Sequence, residues 1–448
     1  MPRKPMLAQT TGHLLQDLSL AAVMQYLPRQ DVKHALADTQ TESIRQRLLP
    51  AIAVVYLVVM LALYSDASVR ENLRTLLEPL RRKFGAKAVG VPTGAAITKA
   101  RRRLGSAPFV RLFDALARPV ATPKTPEAFY NGFRVVAVDG TTAHIQDTEA
   151  NRARFGTIVT RHGPAGYPQV KVVIMAECGT RVPLGCAYGV GNAHEPGLFD
   201  ELQPKLGKDM LLLADRYYYD FARWKACAQQ AGALLWRVRN SMVLAPVSVL
   251  EDGSWLARVR PWDELIRSGK SKRGDRCVLR VLEYRPVFAD GTEGERVRLV
   301  TTLLDAREAP AEELCHVFAR RWEAETGFDE LKTHLRGVDR VLRSPVPELV
   351  EQELYGFLLA YTVVRRTMAE SARLERCSPR ELSFIHAVRV IRRRITFPPS
   401  GGSGGSESVS GSAARNCGGT RAGSRRTKTS ALPQEDAKSV RFVPGIRR

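Results

Sequence analysis

The sequence has little cysteine and no long apolar run. Its seven cysteines form no Cys-x-x-Cys pair and no histidine spacing suited to zinc, so we expect reduced thiols in a cytoplasmic protein. The most apolar stretch runs only from Ala51 to Tyr64, which is too short to cross about 30 Å of hydrocarbon and predicts a buried core helix. Residues Met1 to His13 lack the apolar segment of a secretion signal, so we do not expect export.

Acidic residues are also scarce relative to basic ones. The chain has 46 Asp and Glu against 68 Lys and Arg, a formal net charge of +22. Such an excess favours a polyanionic partner, because Lys and Arg displace counterions from a phosphate backbone. A ribosome or an anionic membrane surface would attract the same charge, so composition indicates only that the partner is negatively charged. With 448 residues, 44% of them hydrophobic, the chain is long enough for two or three domains.

Residues 1–130 are predicted to be all-helical. Helices are expected at Ser68 to Leu80 and Thr93 to Leu104, joined by a basic loop from Arg81 to Lys87, an order typical of a helix-turn-helix unit. The second helix offers cations to phosphates or base edges, namely Lys99, Arg101, Arg102 and Arg103. The alternative is a solvated basic face on a packing helix. We predict an N-terminal DNA-binding domain.

A strand-rich pattern begins at Phe133. Strands are predicted at 133–138, 170–178, 181–188, 210–214 and 233–239, with helices at 196–206 and 220–231. This order is typical of a ribonuclease-H-like α/β sheet, in which Asp139 and Asp215 would emerge at neighbouring strand ends. Two simpler interpretations stay open. Asp139-Gly140 is a common hairpin-turn dipeptide, and Asp215 could cap the helix that follows it.

The remaining chain completes the predicted organisation. Residues 241–305 are predicted to be a β-strand insertion that divides the catalytic core into 131–240 and 306–395. Helices are expected at Ala311 to Arg336, Val346 to Arg373 and Pro379 to Arg394. Residues 396–448 begin as a Gly/Ser-rich linker and continue as a basic tail, a composition typical of disorder.

The segment from Phe318 to Lys332 is predicted to be part of one helix. At 3.6 residues per turn, Arg321, Glu325 and Lys332 share one face, so two cations flank one carboxylate. A solvated charged face that includes Asp329 and Glu330 is the alternative. If the fold brings Asp139, Asp215 and Glu325 together, three carboxylates can hold two divalent ions, and the neighbouring cations can neutralise phosphates.

These three segments resemble one known family. Phe318, Arg321, Glu325 and Lys332 have the spacing of the Tyr-Arg-Glu-Lys signature in a large group of DDE-type bacterial insertion-sequence transposases. Val135 to Thr142 and Leu211 to Asp220 are similar to the first and second aspartate segments of that family, and the likeness extends over about residues 30–395. Phe318 departs from the pattern, because the family usually has Tyr there.

The resemblance implies a DNA transposase that cuts the ends of its element and joins the 3′ ends to target DNA. Asp139, Asp215 and Glu325 would be catalytic and would bind two Mg²⁺ ions, for which Mn²⁺ can substitute. Phe318, Arg321 and Lys332 would contact DNA. The family implies double-stranded DNA as partner and a homodimer on paired ends, and we expect a protein of the bacterial cytoplasm and nucleoid with no membrane association. An inactive DNA-binding descendant and a metal-dependent nuclease are the alternatives.

The sequence allows two roles for each of two further side chains. Trp322 follows Arg321 and either stacks on a displaced base or packs in the core. His194, in the segment Gly191 to Gly197, is either a loop residue or a polar group near the metal ions.

Overall fold

The computed structural model describes residues 21–43, 49–84, 90–157, 159–160, 163–164, 166–287, 292–337 and 340–396. Its α-helices are α1 Ala21–Met24, α2 Arg29–Asp38, α3 Ala51–Leu63, α4 Val69–Phe84, α5 Gly94–Leu104, α6 Ala107–Leu116, α7 Glu149–Phe155, α8 Glu195–Asp200, α9 Phe221–Gln230, α10 Asp263–Arg267, α11 Ala311–Ala319, α12 Trp322–Asp329, α13 Pro347–Glu375 and α14 Phe384–Thr396. A π-helical segment covers Glu330–Arg336, and short 3₁₀ turns cover Gln203–Lys205 and Pro379–Glu381.

The strands are β1 Phe129–Tyr130, β2 Phe133–His144, β3 Val159–Thr160, β4 Gly163–Pro164, β5 Gln169–Glu177, β6 Pro183–Val190, β7 Met210–Ala214, β8 Ala233–Val238, β9 Pro246–Val249, β10 Trp255–Val259, β11 Cys277–Tyr284 and β12 Val297–Thr301.

The N-terminal helices pack around α3, which is buried along its whole length. Its sequence has apolar side chains on every face, as a helix surrounded by other helices requires. α3 lies against α13, where Gly356 approaches so closely that a Cβ there would be 2.7 Å from Val58 Cγ1. One hydrophobic core therefore joins the N-terminal helices to α13. Among the described residues, no helix is long and apolar enough to cross a membrane.

A 10-stranded sheet forms the centre of the molecule. Its order is β6-β5-β2-β7-β8-β12-β11-β10-β9, with β1 beside β2. The middle strands β2, β7 and β8 are parallel to one another, whereas β5 and β6 continue the sheet as an antiparallel hairpin. Together with the surrounding helices this is a ribonuclease-H-like α/β core, as the sequence predicts. The strands of the insertion extend the same sheet, because β12 pairs antiparallel with β8.

Several predicted elements differ in detail. β2 continues through Asp139-Gly140, which pair with Ile174 and Val173 of β5, so this dipeptide is not a hairpin turn. The N-cap of α9 is Asp220, which accepts a hydrogen bond from the Arg223 N–H at 2.9 Å, so Asp215 does not cap that helix.

Two predicted helix boundaries are also wrong. The single helix expected over 311–336 breaks after α11 at Ala319 and resumes as α12 at Trp322. α4 extends to Phe84 and so covers the first part of the predicted basic loop. Residues 85–87 of that loop, residues 1–20 and residues 397–448 of the predicted tail lie outside the described residues.

Candidate active site

Two parallel strands bring the aspartates to one level of the sheet. The last paired residues of β2 and β7 are Ala137 and Leu213, and each precedes an aspartate by two positions. Asp139 and Asp215 therefore lie at the same level of the sheet, just beyond the last residues that pair β2 with β7. Both side chains are half-buried, and each accepts a hydrogen bond from the next backbone N–H, that of Gly140 at 2.9 Å and that of Arg216 at 2.7 Å.

The helical segment after the insertion places Arg321 among these carboxylates. Arg321 Nη2 lies 2.9 Å from Glu325 Oε1 and Nη1 lies 3.8 Å from Asp139 Oδ2. Burial alone would lower the pKa of Arg321, yet Asp139, Asp215 and Glu325 together raise it. The three predicted carboxylates thus all act electrostatically on Arg321, whose side chain is only 7% exposed.

Asp139 is the most perturbed of the three carboxyl groups. Burial raises its pKa from 3.8 to about 7, against the opposing effect of Arg321. The negative charges of Glu325 and Glu195 raise that pKa further. A carboxylate in this position gains from any cation that can approach it.

Lys332 lies in the π-helical segment that follows α12. Its side chain is half-buried; burial lowers its pKa, while the charge of Asp139 acts in the opposite direction. The π-helical turn has more residues per turn than an α-helix, so the predicted spacing from Arg321 does not hold strictly. Lys332 nevertheless interacts electrostatically with Asp139, as a cation of the same site.

A buried ionic network supports this segment. Glu330, a candidate for the solvated face in the sequence, is 6% exposed and accepts from Arg181 Nη1 at 2.8 Å and from the Tyr361 hydroxyl at 3.1 Å. Arg365 Nε lies 3.3 Å from the same carboxylate. Gly327 leaves space for Tyr361, since a Cβ there would be 2.9 Å from the Tyr361 hydroxyl. These contacts fix the segment between Glu325 and Lys332 to the β5–β6 hairpin and to α13.

The structure places Phe318 away from the predicted DNA face. Its ring is 6% exposed and belongs to the core cluster beneath the sheet, so it is not available to stack on a base. The guanidinium carbon of Arg321 lies 6.0 Å from the centre of this ring and 5.1 Å from that of Trp322. Trp322 is half-buried, and its two interpretations remain open.

The predicted DNA-binding helix α5 presents its cations in different directions. Ile97, Ala100 and Leu104 pack in the core, which makes α5 a packing helix on that side. Arg101 is buried with them and donates to Gln352 Oε1 at 2.7 Å, so its predicted availability to DNA is wrong. The three other predicted cations of this helix are exposed: Lys99, Arg102 and Arg103.

The sequence analysis missed Glu195. His194 is exposed and lies beside Tyr217 as the N-cap residue of α8. The next residue, Glu195, lies against Gly140, and its charge acts on Asp139. Tyr218 donates its hydroxyl hydrogen to Glu195 Oε1 at 2.7 Å. The signal available in the sequence is that Glu195 directly follows His194 in the segment Gly191 to Gly197.

The donor chemistry of the site fits hard divalent cations. Asp139, Asp215 and Glu325 offer the carboxylate oxygens that Mg²⁺ and Mn²⁺ prefer. Their present spacing is not that of a coordination sphere: within the described ranges, no group of three or more His, Cys, Asp or Glu side chains could hold a metal ion. Arg321 lies within 4 Å of Asp139 and Glu325, and its hydrogen bond to Glu325 Oε1 occupies one of the two oxygens that Glu325 offers.

Comparison with known proteins identifies the family of the chain. A family model described as a transposase DDE domain matches residues 130–363, and a second, described as insertion element 4 transposase N-terminal, matches residues 17–114. The chain therefore belongs to the DDE transposases, and it is a DNA transposase enzyme. Its N-terminal part is similar to that of insertion element 4 transposases. The family implies the use of divalent metal ions and the binding of DNA.

The chain is similar to individual proteins to different extents. The transposase InsG for insertion sequence element IS4 of Escherichia coli (strain K12) is 29% identical over 381 residues, which are 84% of this chain and 83% of that protein. A putative transposase InsZ of the same strain is 23% identical over 196 residues, 44% of this chain and 63% of that protein. A cryo-EM structure of the piggyBac transposase synaptic complex with hairpin DNA covers 94% of this chain and 88% of its own, with a TM-score of 0.43 and 11% identity.

Proposed function

We propose that this transposase cleaves DNA at the ends of an insertion sequence and joins the freed 3′ ends to target DNA by two-metal phosphoryl transfer. The observation that carries the proposal is the convergence of Asp139, Asp215 and Glu325 on Arg321, three carboxylates and one cation at the edge of a ribonuclease-H-like sheet. The half-buried Asp139 carboxylate in particular would be stabilised in its charged form by a nearby cation, because burial raises its pKa.

We assign the carboxylates as metal ligands. Asp139 would bind both Mg²⁺ ions, and Asp215 and Glu325 would bind one each; Mn²⁺ can substitute. When bound, the two ions supply an activated hydroxyl nucleophile and neutralise the leaving oxygen of an in-line displacement at phosphorus. Arg321, released from Glu325, would neutralise a phosphate beside the scissile bond together with Lys332.

We assign the wider DNA contacts to exposed cations. Lys99, Arg102 and Arg103 of α5 are exposed and are proposed to bind the element end, although Arg103 also donates to the Leu49 carbonyl at 3.1 Å. Arg101 and Phe318 are left out of this surface because both side chains are buried. Lys and Arg at such positions contribute mainly through phosphate charge, and only those that reach a base edge discriminate between sequences.

We propose that two copies act on paired ends as a homodimer in the bacterial cytoplasm. One active site can join one 3′ end at a time, so concerted joining of two ends requires two sites. Light scattering of the purified protein with and without end DNA measures the number of copies directly.

The proposed function is tested with the DNA ends of the element and a target plasmid in Mg²⁺. The expected products are free 3′ hydroxyl ends and joined strands, and Asp139→Asn should give neither. Cleavage without joining would instead identify a nuclease. End binding without cleavage in every divalent ion would identify an inactive DNA-binding descendant.

A further inference from the structure

The Glu195 carboxylate lies between the two aspartate segments. On one side it lies directly against Gly140, the residue after Asp139: a Cβ at Gly140 would be 2.2 Å from Glu195 Cδ and within 2.6 Å of both carboxylate oxygens. On the other side it accepts from the hydroxyl of Tyr218, three residues after Asp215. No side chain other than hydrogen fits at position 140 while Glu195 keeps this position.

Tyr218 is itself fixed in place. Its backbone N–H donates to the Asp215 carbonyl at 3.0 Å, and its ring is 1% exposed and packs edge-on against Phe199 of α8 at 5.6 Å. The packed ring therefore holds the Tyr218 hydroxyl in position to donate to Glu195. A rigid donor of this kind holds a carboxylate in one orientation, as hydrogen-bond partners do for metal-binding carboxylates.

We propose that Glu195 is a fourth acidic residue of the active site, oriented by Tyr218 and Gly140, and that its negative charge strengthens divalent-cation binding at Asp139. The inference rests on the proposed function, because it assumes that Asp139 binds the metal. The negative charge of Glu195 acts unfavourably on that of Asp139, and a bound cation would offset this repulsion.

A purely structural role is the competing explanation. In that case the Tyr218–Glu195 hydrogen bond would only anchor the start of α8, and its loss would lower the thermal stability of the metal-free protein. Glu195→Gln separates the two roles, because Gln keeps the size and an acceptor oxygen for Tyr218 but removes the charge.

The test is a titration of the purified full chain, without DNA, with Mn²⁺ alone. Free Mn²⁺ is followed by electron paramagnetic resonance, and thermal unfolding in chelator is recorded for each variant. Glu195→Gln is expected to weaken Mn²⁺ binding roughly tenfold, the scale found for residues that orient metal ligands, with little change in metal-free melting temperature. Glu201→Gln, an exposed carboxylate at the C-terminal end of the same helix, is the matched control and should bind Mn²⁺ as wild type does.

Asp139→Asn separates the possible failures. If Asp139→Asn weakens Mn²⁺ binding and Glu195→Gln does not, the inference about Glu195 is overturned and the proposed function stands. If neither variant changes binding, the metal site itself is misassigned. Should Glu195→Gln fail to fold, Tyr218→Phe keeps the ring and releases the carboxylate; it is expected to weaken Mn²⁺ binding at least about twofold, and unchanged binding would overturn the inference.

Discussion

Arg321 and Glu325 form an ion pair one helical turn apart, with Arg321 Nη2 2.9 Å from Glu325 Oε1. The arginine side chain is 7% exposed and the glutamate side chain 36% exposed, so Arg321 is the buried member of the pair and Glu325 the one accessible to solvent. The same guanidinium lies near Asp139. A cation from the protein itself therefore balances the carboxylates, and it competes with any divalent ion for Glu325.

This competition predicts the effect of removing Arg321. Arg321→Gln should raise the Mn²⁺ affinity of the DNA-free protein at least about threefold, because it frees Glu325 and removes one nearby positive charge. The same variant should lose strand transfer, since the proposed phosphate contact is gone. Arg307→Gln, at an exposed arginine paired with Glu251, is the control. Weaker Mn²⁺ binding by Arg321→Gln would show that Arg321 organises the metal ligands and does not compete with the metal.

The raised pKa of Asp139 predicts how stability depends on pH. In the folded protein the pKa is about 7 instead of 3.8, so the folded state binds this proton more tightly than the unfolded state. Stability from this group is therefore lost as pH rises from about 4 to about 7. In chelator, Asp139→Asn should raise the melting temperature relative to wild type by more at about pH 8 than at about pH 5. Asp209→Asn, at an aspartate whose side chain is 64% exposed, should show no such trend. A constant difference for Asp139→Asn across this range would contradict the raised pKa.

Neighbouring arginines on α5 are expected to behave differently. Arg101→Ala should cost about 2 to 4 kcal/mol of folding free energy, because it removes a buried hydrogen-bonded cation. Arg102→Ala should leave stability within about 0.5 kcal/mol and reduce the salt dependence of end binding by about one unit of slope. Chemical denaturation and salt-dependent binding measure both. End binding lost by Arg101→Ala in fully folded protein would place Arg101 on the DNA.

Phe318 is expected to act through the core. Phe318→Ala should lower the free energy of unfolding by about 3 to 5 kcal/mol, because it opens a cavity beneath Arg321. Phe318→Leu, which keeps most of the apolar volume, should cost less. DNA affinity of the folded fraction should not change in either variant. A variant that melts normally but binds end DNA more weakly would show instead that this ring contacts DNA.

The sequence predicts the sheet well, for a physical reason. Val135, Leu211 and their neighbours form apolar runs that only a strand buried on both faces explains, and Asp139 and Asp215 follow at matched distances. The alternation of strands and helices then allows few topologies. The core and the carboxylate order follow from these local patterns and from family resemblance.

The features that the sequence did not predict depend on tertiary packing. The π-helical turn at Glu330 is stabilised by contacts with Arg181 and Tyr361, which are distant in sequence. At the break between Ala319 and Trp322, Arg320 donates to the carbonyls of Glu127 and Phe129. A 3.6-residue period cannot predict either feature. Arg101 looks like an exposed cation until Gln352 of α13 covers it. Glu195 meets Gly140 and Tyr218 only in the folded chain, so its proximity to Asp139 is not visible in the sequence.

The central claim is that Asp139, Asp215 and Glu325 bind the divalent ions that carry phosphoryl transfer. Metal-specific rescue tests it most directly, because a thiolate ligand favours Mn²⁺ over the harder Mg²⁺. Strand transfer is measured in each ion for wild type, for Asp139→Cys, Asp215→Cys and Glu325→Cys, and for Glu201→Cys as an exposed control. The account predicts that the three site variants are inactive in Mg²⁺ and that Asp139→Cys and Asp215→Cys regain activity in Mn²⁺, while Glu201→Cys behaves as wild type in both. Wild-type activity in Mg²⁺ for any of the three site variants would contradict the account.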